Sequence, residues 1–142
     1  MTTSRPPFAP PERLSSELGR VRDYWSGLKR GENAVPFADD VKLSALPGFE
    51  SRLVLVDVFE KPQRFRLNIV GSDIRDWYGA DLAGKFADEI EAKGPFEYFI
   101  AQASATVEAA EPTYHHDGFM RLLLPLWGGG YVSMLLGTIV RP

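Results

Sequence analysis

Leu122 to Val140 reads LLLPLWGGGYVSMLLGTIV, an uncharged run bounded by Arg121 and Arg141. Its length matches a membrane-spanning helix. Pro125, Gly128, Gly129, Gly130 and Gly137 interrupt it, and both residue types are poor in helix interiors in water, although membrane helices tolerate some. The other residues are the Leu, Val, Ile and Tyr that strands prefer, so the run is predicted to be two strands turned at Gly128-Gly129-Gly130, with no membrane span. In the first strand Met120, Leu122, Leu124 and Leu126 share one face, and Phe119 and Leu123 the other. One face covers a core; the second is an exposed apolar patch unless something shields it.

Upstream, Thr113 to His116 reads as a strand, and Asp117-Gly118 as a hairpin turn into Phe119–Trp127, which makes an antiparallel meander with Tyr131–Val140. Pro95 opens a helix with an apolar stripe of Phe96, Phe99, Ile100, Ala103, Val107 and Ala110. Glu97, Gln102, Ser104 and Glu108 lie opposite that stripe. A short helix is expected over Phe86 to Ala92, and another from Ser72, as cap, to Gly79. Ser51–Phe59 is apolar on both faces, the mark of a covered sheet. Arg64–Gly71 alternates, with Phe65, Leu67 and Ile69 on one side and Arg66 and Asn68 on the other. Asp39 or Asp40 can cap a helical turn toward Leu46.

Over residues 12–28, Leu14, Leu18, Val21, Trp25 and Leu28 recur at the spacing of one helical stripe. Two heptads are too few to read as a coiled coil. The expected fold is α+β: a five-stranded antiparallel sheet with helices on one face and an extra N-terminal helix on the other. The expected divisions are a flexible, Pro-rich 1–11, an N-terminal amphipathic helix over 12–30, and one domain over 31–142.

The 142 residues suit a single domain, and the 44% hydrophobic and 25% charged content is globular. A net charge of −3 argues against nucleic acid as a partner. Residues 1–30 carry +3 and the remainder −6, so a basic arm is drawn toward its own or a neighbouring acidic body. No cysteine is present, which excludes disulfides, thiolate metal sites and thiol-linked cofactors. The start of the chain lacks an apolar signal region, so a cytoplasmic location is expected. Gly79-Ala80-Asp81-Leu82-Ala83-Gly84-Lys85-Phe86 imitates a phosphate-binding loop, but Phe86 stands where that loop needs a hydroxyl for Mg²⁺. It reads as a glycine-punctuated turn.

An ordered set of short motifs resembles the PAS superfamily, in particular small bacterial single-domain PAS-like proteins. The motifs are Tyr24-Trp25, Gly31, Pro36, Asp40, Leu46-Pro47, Asp57-Val58, Arg64-Phe65-Arg66, Val70-Gly71-Ser72 and Gly79-Ala80-Asp81-Leu82-Ala83-Gly84-Lys85. They span residues 24–90, with a weaker tail through Pro125-Leu126-Trp127. Where the family carries an Arg shortly after the Pro, this chain has Phe37-Ala38. The resemblance implies a non-enzymatic sensory and signal-transduction module. Such a module holds a small-molecule cavity between sheet and helices and forms a homodimer through an N-terminal helix on the outer sheet face. In bacteria such modules serve signalling proteins, and this chain is expected to act through another protein.

Any cavity walls are assigned to Leu67, Ile69, Trp77, Tyr78, Phe86, Phe99, Ile100, Leu124 and Met134. A core filled by the same side chains is the competing expectation. Leu14, Leu18, Val21, Trp25, Leu28, Phe119 and Leu123 are assigned to the dimer or partner surface. Haem is disfavoured, because residues 95–110 hold no His and His115 and His116, adjacent on a strand, point to opposite faces. No metal site and no catalytic residue are assigned. A small organic ligand, noncovalent flavin included, stays open. The alternatives are a dedicated small-molecule sensor or carrier, and a cone-shaped α+β isomerase or dehydratase. The enzyme requires an acid of raised pKa in a pocket; Asp57 is the acid centred in a strand, and it reads as facing solvent.

Overall fold

The computed structural model describes residues 8–141. Its elements are helix α1 (Ser16–Gly27), strands β1 (Leu53–Phe59) and β2 (Arg64–Val70), helices α2 (Ser72–Tyr78) and α3 (Phe99–Ala109), and strands β3 (Thr113–His116), β4 (Met120–Gly128) and β5 (Tyr131–Val140). The strands form one antiparallel sheet in the order β2-β1-β5-β4-β3. The uncharged run is therefore the β4–β5 hairpin, turned by Gly129 and Gly130 at φ +67° and +89°, the left-handed backbone a tight hairpin requires. Among the described residues, no helix is long and apolar enough to cross a membrane.

Side chains alternate along the strands, so the sheet divides the apolar residues into two clusters. The first joins Val54, Val56, Val58, Phe65, Leu67, Phe119, Leu123, Leu135 and Ile139 to Ile74 of α2 and to Phe99 and Ala103 of α3. The second joins Leu53, Leu122, Leu124, Leu126, Leu136 and Val140 to Leu18, Val21 and Trp25 of α1. Gly137 lies between Val54 and Leu123; a Cβ there would stand 2.6 Å from Val54 Cγ2 and 2.8 Å from Leu123 Cδ2. The middle strand lacks a side chain where its two neighbours need to meet.

Alternation separated the two residue sets of β4 as expected, but their faces are reversed. Phe119 and Leu123 belong to the first cluster and are withdrawn from any dimer surface, while Leu124 and Met134 lie with the second. Parity distinguishes the sets without saying which cover each receives. Ile69 is also on the unexpected side. The β1–β2 register shifts between Leu55 and Val56, so Leu55 pairs with Ile69 and Val56 with Leu67. That bulge re-phases the strand and leaves Ile69 42% exposed.

The N-terminal helix begins at Ser16, later than residue 12, with Ser15 accepting from Leu18 N. The helix expected from Pro95 starts at Phe99, after a 3₁₀ turn over Gly94–Phe96 and a left-handed Tyr98 at φ +57°. Its inward face carries Gln102 and Thr106, both fully buried, whereas Gln102 was expected on the solvent side. Only a 3₁₀ turn, Ala87–Glu89, forms between Phe86 and Ala92. Of the expected loose segment 1–11, residues 1–7 lie outside the described residues; Phe8 O accepts from Tyr114 N at 2.8 Å, beside the edge strand β3.

Gly137→Ala is expected to destabilise the domain by about 1–3 kcal/mol, since Val54 and Leu123 must leave their packing positions. Urea unfolding monitored by tryptophan fluorescence checks this.

Candidate functional site

Four of the expected cavity residues, Leu67, Trp77, Tyr78 and Phe99, meet in the first cluster. Their rings interlock edge to face: Tyr78 with Phe96 at 6.0 Å, Phe96 with Phe99 at 5.3 Å, and Trp77 with Phe119 at 5.3 Å between centroids. They pack on one another in the interior, and Phe99 also lines a cleft. Phe86 stands at the sheet edge, against Phe59 and with the Arg64 guanidinium 3.8 Å over its ring. Gly84 N donates to Leu67 O and Leu67 N donates to Lys85 O, so the glycine-punctuated turn covers the open edge of β2. Ile100, 43% exposed, lines an open cleft of about 350 Å³ with Ile90, Phe96, Glu97, Tyr98 and Phe99.

Against Phe99, one wall of that cleft, lies a charged residue that the sequence marked only as a boundary. Arg121 of β4 is fully buried. Its Nε donates to Gln102 Oε1 at 2.7 Å and its Nη1 to Pro95 O at 2.8 Å, while Nη2 makes no hydrogen bond to the protein. The guanidinium carbon stands 5.4 Å from the ring centroids of both Phe99 and Phe119. No carboxylate pairs with it among the described residues; Glu97, on the cleft wall, acts on it only at a distance. Desolvation by burial pushes the guanidinium down to about 9, so it remains charged at neutral pH.

The partners of Arg121 are held in one orientation. Thr106 Oγ1 donates to Gln102 O, so the 2.6 Å contact between Thr106 Oγ1 and Thr113 Oγ1 takes its proton from Thr113. Thr113 Oγ1 then accepts from Gln102 Nε2, which also donates to Arg121 O. Both amide protons of Gln102 are thereby engaged, and its oxygen is aimed at Arg121. A usable signal existed in the sequence: Arg121 shares the strand parity of Phe119 and Leu123, and Gln102 and Thr106 sit one helical turn apart.

His115 adjoins the same group. Its ring contacts those of Phe8, Tyr98 and Phe119 at 5.9, 5.8 and 5.6 Å, and its Nε2 is buried without a hydrogen-bond partner. Burial first, then the Arg121 charge, push its pKa below the ordinary histidine value.

On the opposite face the α1 stripe is occupied within its own chain. Leu18 and Val21 are fully buried and Trp25 is 4% exposed, with Leu14 and Leu28 half-buried. Trp25 Nε1 donates to Pro125 O at 2.7 Å. Trp127 N, two residues on, donates to Pro36 O at 2.8 Å. The missing N–H of Pro125 therefore falls on the side of β4 that β5 does not use, and its carbonyl serves α1. Asp57 is not a solitary acid: its Oδ2 accepts from Arg66 at 2.8 and 3.0 Å and from Asn68 at 3.0 Å. Among the described residues, no group of three or more His, Asp or Glu is placed to hold a metal.

Gln102→Leu leaves the Arg121 Nε–H, the Arg121 carbonyl and Thr113 Oγ1 short of a partner, and is expected to cost about 2–3 kcal/mol in urea unfolding. His115 gives a pH signature. Its native pKa is depressed, so the unfolded chain binds the proton first and stability falls as pH drops below about 6.5. Chemical denaturation at pH 7.5 and 5.5 should show a smaller loss for His115→Phe than for the wild type.

No protein-family model matches the sequence, and none of the curated proteins matches it.

Proposed function

We propose that this chain is a PAS-like sensory module that acts by protein contact and not by catalysis, with α1 as the element it presents to a partner. The observation that carries the reading is the two-sided use of β4. Arg121 and Leu123 face the interior beside α3, while Leu122, Leu124, Leu126 and the Pro125 carbonyl hold α1. A displacement of β4 at Arg121 therefore reaches the α1 seat through one strand.

Helix α1 suits a removable part. It has twelve residues, too few to be stable alone in water. Gly19 weakens it by about 1 kcal/mol relative to Ala, although a Cβ at Gly19 would meet nothing within 4 Å. Packing does not require that glycine, so the helix persists through its stripe. Released, the stripe of Leu18, Val21 and Trp25 fits the same seat on a second copy, and homodimerisation by exchange of α1 follows. The charge contrast between arm and body favours that encounter.

Because the chain has no cysteine, a single introduced thiol reports the motion. Val21→Cys lies on the stripe, and Leu135→Cys in the middle strand on the opposite face, which α1 does not cover. At denaturant-free equilibrium the Val21 thiol should react with a maleimide at least about tenfold faster, equivalent to an opening about 1.4 kcal/mol easier. Equal rates mean that α1 leaves only when the whole domain unfolds, and the proposal then fails.

A further inference from the structure

We propose that Arg121 is the anchor of a binding site for a small monocarboxylate with an apolar body, entered from the cleft between Ile90 and Ile100. Three observations converge there. A fully buried guanidinium has one nitrogen, Nη2, without a protein partner. The adjoining His115 has a second such nitrogen, Nε2. Arg121 and His115 do not line the cleft themselves but lie directly behind its walls: Phe99 lies against Arg121, Tyr98 is tilted against His115, and Glu97 acts on both, so a ligand reaches the two nitrogens by parting these side chains.

The chemistry of the ligand follows from the walls. Nη2 carries two N–H donors in the guanidinium plane, and one of them suffices for a charge-assisted hydrogen bond to a carboxylate oxygen. A buried cation without a counter-ion is costly, and an arriving anion relieves that cost. Ile90, Phe96, Phe99 and Ile100 offer an apolar bed, and about 350 Å³ lies at the small end of ligand sites. Glu97 on the wall repels a second negative charge, which selects a monoanion over a dicarboxylate or a phosphate. The Gln102–Thr106–Thr113 chain holds Nε and the Pro95 carbonyl holds Nη1, so Nη2 is the nitrogen left for the ligand.

This inference deepens the sensory reading by naming its input, and the two fail separately: ligand titration reads Arg121, whereas thiol labelling at position 21 reads α1. Phenylacetate and its uncharged analogue phenylacetamide are the probes, titrated into the full chain by calorimetry at pH 7. The acid should bind at least tenfold more tightly than the amide. Arg121→Met should abolish that preference, and Glu97→Gln should strengthen acid binding several-fold. Ile100→Trp, at an exposed position that leaves the core intact, should weaken both probes by filling the cleft.

If Arg121→Met does not fold, the Arg121 Nε–H resonance of the wild type serves instead; it should move with phenylacetate and stay fixed with phenylacetamide. Equal affinity for acid and amide, a preference that survives Arg121→Met, or no saturable binding of either probe overturns the proposal. In the last case solvent alone serves the two nitrogens.

Discussion

Strand β4 has no face turned to water. From Arg121 to Leu126 every residue is buried, and the strand is too short to hide itself. It therefore needs two covers, and the rest of the architecture supplies them. Helices α2 and α3 cross from the β2 edge to the β3 edge and pack on one side; α1, which comes before the sheet in the chain, packs on the other. Without α1 a row of leucines, 122, 124, 126 and 136, would form the kind of apolar patch that monomeric proteins rarely leave exposed. The bond from Trp25 to the Pro125 carbonyl fixes where that cover sits, because the backbone group it satisfies occurs where β3 has ended and the edge of β4 is open.

Placing Arg121 in this doubly covered strand is expensive. A buried ion commonly contributes less to stability than a well-packed apolar residue of its size. Here the compensation comes from two aromatic faces, a carbonyl and an oriented amide, and it stops one nitrogen short. The rings do not require a cation for packing: Met of similar length would lie between Phe99 and Phe119 with no charge to solvate, although Gln102 Oε1 and the Pro95 carbonyl would then lose their donor. A charge retained against that simpler solution is the chemistry by which the interior distinguishes an anion from a neutral molecule of the same shape.

Much of the architecture was legible because it follows from local periodicity. Leu14 to Leu28 and the alternation of Phe65 with Leu67 are direct imprints of helical and strand geometry. The glycines and proline of 122–140 argued against a membrane helix for the same local reason. What failed was long-range. Ile69 changed sides because one bulge shifted the register, and an alternating sequence gives no sign of where the extra residue enters. Leu124 and Phe119 changed places because parity cannot say which cover folds over which set. Gln102 was placed on the solvent side because a helical wheel ranks residues by polarity, and its true neighbours, Thr113 and Arg121, come from strands formed later in the chain. The polar site was hidden by the same rule that revealed the apolar core.

The proposed coupling between the two faces has a definite physical route. Side chains of a strand point alternately up and down, so a ligand that draws Arg121 toward the cleft moves the backbone from which Leu122, Leu124 and the Pro125 carbonyl project. The neighbouring strand offers little slack: Gly137 lets Val54 and Leu123 close on each other with no side chain between them. A displaced β4 therefore has less room to repack than to shift along its own length, and Trp25, tied to Pro125 by a single hydrogen bond, is the contact that meets the shift. Interiors packed this tightly move between discrete arrangements instead of yielding gradually. A short helix, weakened by Gly19 and held by one stripe, is the part of this molecule for which a second arrangement lies within reach.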